Sequence, residues 1–133
     1  MTKRISEYSD VLDTRDIIER IEELREERDD ESNAEEWNHP DKDGPAELRE
    51  LEEFMSDMAG CGGDEQWEGI WYPIMLIRDS YFRDYAEELA EDCGMVQSGA
   101  TWPNNCIDWD EAARQLRMDY TSADFRGVTF WFR

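Results

Sequence analysis

Asp and Glu outnumber Lys and Arg by 35 to 14 along 133 residues, and this excess constrains the fold more than any motif does. A formal net charge of -21 works against compaction, because like charges gathered into a small volume repel one another. A compact form of such a chain must hold its acids outward and draw full use from its apolar residues. Six Trp, five Tyr and five Phe are available for that. Acidic disordered chains are ordinarily poor in aromatics, so a folded domain is expected. The length suits one domain. Solubility alone asks for a net charge of only about 2–8 in a small domain, so the surplus points to a basic partner or to a saline, halophilic setting. Its sign argues against direct nucleic-acid binding, which needs a basic footprint.

Hydrophobic periodicity predicts an α+β fold with about four short helices, a small two- or three-stranded antiparallel sheet and an acidic surface. Residues 1–12 read as a loosely ordered lead-in to a single domain spanning 1–133. A helix from Asp13 to about Arg28 follows, with Ile17, Ile18, Ile21 and Leu24 as its apolar stripe. Residues 29–44 lack periodicity and read as an acidic loop. Gly44-Pro45 opens a second helix carrying Leu48, Leu51, Phe54 or Met55, and Met58 inward. A strand is expected within Gly69–Arg78, with Pro73 at its start, at an edge or in a bulge. Asp79-Ser80 is placed to cap a third helix, Tyr81–Cys93. Asp108 opens a fourth, with Glu111 three residues on, and Val128–Phe132 reads as a terminal strand after a turn at Gly127.

The negative charge is spread rather than confined to a tail. Residues 1–44 hold 16 acids against 7 bases, residues 45–67 hold 7 against 1, and residues 68–133 hold 12 against 6. Duplex DNA carries one charge per about 1.7 Å of axis, so a surplus of 21 matches roughly 36 Å of duplex. A compact domain of this length has a diameter of the same order. Carboxylates at i, i+3 and i+4 on a helix lie about 5–6 Å apart and can imitate a row of phosphates. The acids placed to do so are Glu19, Glu22, Glu23, Glu26, Glu47, Glu50, Glu53, Asp84, Glu88 and Glu91. Trp37, inside the acidic loop, is the candidate exposed anchor at an interface.

The stretches YFRDYAEELAEDCGM (Tyr81–Met95) and CIDWDEAARQLRMDYTSADFRGVTFWFR (Cys106–Arg133) resemble the C-terminal part of the ArdA antirestriction proteins. The matching places are held by Asp110, Glu111, Ala112, Ala113, Arg114, Leu116, Asp119 and Tyr120. The resemblance covers about residues 79–133. It implies a cofactor-free, non-catalytic inhibitor that mimics bent B-form DNA in the binding groove of a type I restriction-modification enzyme. It also implies a homodimer, since a dimer interface lies at the end of those proteins. A CRISPR effector or another basic DNA-binding protein is the alternative partner, and an acidic structural or halophilic domain without mimicry is the third reading.

Catalytic and metal chemistry find little footing. Carboxylate pairs are too many for one to be singled out as acid and base. His39 is the single histidine and reads as a solvated loop residue. Cys61, Cys93 and Cys106 lack the close spacing of a zinc site and read as reduced thiols, with Cys93 and Cys106 as small core residues. Asp41 with Glu52 at the twelfth position imitates a calcium loop, but Pro45, Leu48 and Leu51 intervene on a helix. Gly60–Gly63 lacks the Lys and Ser/Thr of a phosphate loop. Met1–Asp10 is polar and the apolar run Ile70–Ile77 is too short to span a bilayer, so a cytoplasmic protein is expected.

Overall fold

Side chains alternate across a strand, and here that alternation separates two cores. The computed structural model describes residues 5–30, 32, 34–96 and 101–133. Its elements run β1 (Val11–Asp13), α1 (Thr14–Asp29), α2 (Ala34–Trp37), α3 (Gly44–Met58), β2 (Asp64–Trp67), β3 (Ile70–Tyr72), β4 (Met75–Arg78), α4 (Phe82–Asp92), α5 (Trp109–Arg117), β5 (Thr121–Phe125) and β6 (Val128–Phe132). The strands β1, β4, β6 and β5 form, in that order, an antiparallel sheet, and β2 pairs with β3 in a separate ribbon. Leu76 and Ile77 are successive residues of β4. Leu76 packs in one core with Ile17, Ile21, Leu51, Phe54 and Phe130, and Ile77 packs in another with Phe82, Ala86 and Ala113. The sheet therefore divides α1 and α3 on one face from α4 and α5 on the other.

Local chemistry accounts for the helices. Asp13 caps α1 by accepting from the Arg15 backbone N–H at 2.9 Å, and the buried face carries the expected Ile17, Ile18, Ile21 and Leu24. Pro45 lies in the first turn of α3, and Leu48, Leu51, Phe54, Met55 and Met58 are buried along it. On α5, Asp108 accepts from the Glu111 backbone N–H at 3.2 Å. The β5–β6 hairpin turns through Arg126 and Gly127, both at positive φ (52° and 78°), which suits the right-handed twist of the paired strands.

The α+β class holds, and the strands outnumber the expectation. Residues 5–13 are more than a lead-in: Ile5 and Leu12 are buried, and β1 pairs with β4 at the sheet edge. Met1–Arg4 of that segment lie outside the described residues. The expected strand in Gly69–Arg78 is two strands, because Pro73 cannot donate to a ladder. Its carbonyl instead accepts from the Thr14 hydroxyl and from Gln66 Nε2. β2 and β5 carry too weak an apolar alternation to be read as strands; pairing with β3 and β6 creates them. Asp79 does not cap the third helix. It belongs to a 3-10 turn over Asp79–Tyr81, and its carboxylate accepts from Trp131 Nε1 at 2.8 Å. The acidic loop over 29–44 contains the single-turn helix α2; Glu31 and Asn33 lie outside the described residues. Cys93 and Cys106 are exposed rather than core residues: Cys93 lies past the last turn of α4, and Cys106 ends a 3-10 turn over 104–106.

Candidate partner-binding surface

With Ile17, Ile21 and Leu24 turned into the core, helical geometry sends Glu19, Glu22 and Glu26 to the opposite side of α1. All three are exposed, and none forms an ion pair with a described residue. Glu23 is half-buried beside Arg20, at 3.0 Å. On α3, Glu53 is exposed while Glu50 receives Arg126 Nε at 2.6 Å. Glu47 points inward: it is buried, and both of its oxygens are taken by Arg20 at 2.7 and 2.9 Å. A bidentate guanidinium satisfies that carboxylate and leaves it no outward oxygen for a partner.

Asp84, Glu88 and Glu91 lie on α4, across the sheet from α1 and α3. Asp84 and Glu88 are exposed, Glu91 is half-buried, and Glu88 accepts from the Tyr81 hydroxyl at 2.7 Å. The ten acids thus divide between two layers and do not form one row. Trp37 is a correction. It was expected as an exposed anchor, but it is 8% exposed in α2. Its ring lies where a Cβ on Gly44 would stand 2.7 Å away, so glycine at 44 makes room for the indole to turn inward. Large exposed apolar side chains occur instead at Trp71, Ile74 and Met75. Local pattern gives no sign of this, because the apolar run Ile70–Ile77 reads only as strand-forming and its burial depends on what packs over it.

The described bases are mostly engaged with acids. Arg15, Arg20, Arg25, Arg28, Lys42, Arg83, Arg114, Arg117 and Arg126 each lie within 4.0 Å of a carboxylate. The Arg114 guanidinium holds the exposed Glu111 carboxyl down to about 2, and Lys42 holds Glu36 below the usual range. Arg15 does the same for Asp13 through its side-chain hydrogen bond. Pairing of this kind neutralises those bases locally.

Among the described residues no group of three His, Cys, Asp or Glu is disposed to hold a metal ion. Glu52, which would close the imitation calcium loop, instead accepts from Arg25 at 2.8 Å. His39 is exposed, with Nδ1 accepting from the Asp41 backbone N–H. No helix among the described residues is long and apolar enough to cross a membrane.

The architecture defines a class first: a small α+β protein with exposed acidic side chains on helices at both faces of its sheet. The family model for the antirestriction protein ArdA matches residues 1–128, and the chain belongs to that family of antirestriction proteins, which are inhibitors rather than enzymes. No curated protein and no solved structure matches the chain. The family match reaches well beyond the stretch 79–133 in which the resemblance was legible, and it takes in α1 and α3. In those helices the pattern consists of Glu and aliphatic residues, which many unrelated amphipathic helices share.

Proposed function

We propose that this protein acts in the cytoplasm of a bacterial host by DNA mimicry, entering the DNA-binding groove of a type I restriction-modification enzyme and excluding DNA from it. The observation that carries this reading is the outer stripe of α1. Glu19, Glu22 and Glu26 are exposed, and none forms an ion pair with a described residue, on a helix whose opposite face is buried in the core. Their spacing along the helix approaches that of phosphates along a strand, and water need not be stripped from a counter-charge before Arg and Lys of the target engage them. Glu53 and Asp84 add exposed carboxylates on α3 and α4. Glu47 has no part in the contact, since Arg20 occupies it.

The test is competition. Purified protein is added to a type I restriction-modification enzyme bound to labelled DNA, at several salt concentrations. Displacement is expected, weakening steeply as salt rises. Glu19→Gln/Glu22→Gln/Glu26→Gln is expected to weaken displacement and to flatten its salt dependence. Equal displacement by the triple variant and the natural chain at all salts would remove the α1 stripe from the mechanism.

A further inference from the structure

Electrostatic imitation of DNA speeds encounter and orients the partners, but by itself it discriminates poorly among basic proteins. Tight protein complexes ordinarily centre on a few apolar or aromatic contacts shielded from water. Trp37, the expected source of such a contact, faces inward.

On the α4 side of the sheet lies a recess of about 390 Å³, walled by Ile74, Met75, Ile77, Tyr85, Leu89 and Tyr120, with Arg133 at its margin. The helix α4 covers Ile77 but leaves Ile74 43% and Met75 49% exposed. The two phenols meet at 2.7 Å between hydroxyl oxygens, one donating to the other, so each oxygen has a partner within the wall. Arg133 lies over the Tyr120 ring at 5.7 Å from its centre. Gly63 shapes one side. A Cβ there would run into the Tyr72 carbonyl, and φ is +70°. The backbone at Gly63 and Tyr72 thus sets one wall of the recess.

The occupant follows from what adjoins it. Tyr85 and Leu89 each follow directly on Asp84 and Glu88, so the acid stripe of α4 runs alongside the recess one helical position away. A second copy of this chain seated there would bring two such stripes together, and opposed like charges disfavour it. A basic surface with a protruding apolar side chain is matched on both counts. We propose that the Ile74–Met75 recess receives an apolar side chain of the same basic DNA-binding protein that the acids engage, and that it anchors the complex independently of salt. This rests on the inhibitory reading above.

The experiment compares Ile74→Ser/Met75→Ser with Trp102→Ser, whose indole is 79% exposed away from the recess, in the DNA-displacement assay over a range of salt. Thermal melting confirms folding, and Ile74→Ser alone, outside any strand, serves if the double variant fails to fold. The recess variant is expected to need about tenfold more protein for half-displacement at every salt, with its salt slope unchanged. Trp102→Ser is expected to match the natural chain. Undiminished displacement by the recess variants, with the natural chain active, would overturn the anchor and leave the inhibitory reading standing. A changed salt slope, or a loss of self-association in sedimentation that tracks these substitutions, would overturn it as well. Absence of displacement by the natural chain at any salt would overturn both readings together.

Discussion

Glu47 and Glu53 lie six residues apart on one helix, and their fates differ because Arg20 reaches only the first. Both partners of the Arg20–Glu47 pair are largely out of water, with side-chain exposures of 17% and 7%. Glu47→Ala would leave a guanidinium half-buried without its bidentate acceptor. A loss of about 3 kcal/mol in urea unfolding is expected, with inhibition per folded molecule unchanged. Glu53→Gln is expected to leave the urea midpoint essentially where it is. Gly63 makes a sharper case. Alanine there combines a left-handed backbone with a clash against the Tyr72 carbonyl. Gly63→Ala is expected to destabilise by at least about 1 kcal/mol, measured by the same unfolding curves.

At the scale of elements, the caps are the testable joints. Asp13 ends β1 and starts α1, accepting from the Arg15 backbone N–H and holding the Arg15 guanidinium at 2.8 Å. Asp13→Ala is expected to cost about 1 kcal/mol. The pH dependence has a definite sign. Arg15 lowers the folded-state pKa of Asp13, so the cap's contribution is fully present above the ordinary carboxyl value. It is lost as pH falls through the lowered folded value. The stability gap between Asp13→Ala and the natural chain, read from urea curves at stepped pH, is therefore expected to close on the acid side of about pH 4. A gap that stayed constant to lower pH would mean that Asp13 acts without its charge. The hairpin β5–β6 illustrates another joint. Arg126 adopts positive φ at the turn while its guanidinium holds Glu7 at 2.9 Å and Glu50 at 2.6 Å, tying the N-terminal segment and α3 to the sheet.

For the whole molecule, the proposed mimicry would set the surplus of negative charge against stability. Screening reduces repulsion among the unpaired acids, so the melting temperature is expected to rise with salt while displacement of DNA from the target falls. Charge-neutral substitution of Glu19, Glu22 and Glu26 moves both quantities in the same senses and without salt. A triple variant that melts higher and inhibits less would show that these acids are kept for binding at the expense of stability. One that melts higher and inhibits equally would return the acidity to a general environmental role.

Much of this organisation is written in local pattern. The apolar spacing of Ile17, Ile18, Ile21 and Leu24, and of Leu48, Leu51 and Met58, needs no partner to be recognised, because the period of a helix is set within one chain segment. The helix start at Asp108 is legible for the same reason, as is the α+β class. Tertiary structure alone decided which carboxylates turn outward, since Glu47 and Glu53 carry the same local signature and differ only in whether Arg20 lies opposite. It also decided that β1, β2 and β5 exist, because a short strand with weak alternation is stabilised by the neighbour it pairs with. The same dependence on distant packing sent Trp37 inward and left Ile74 and Met75 in water. Local spacing determines which face of an element is apolar; what comes to cover that face is determined by residues far away in the chain.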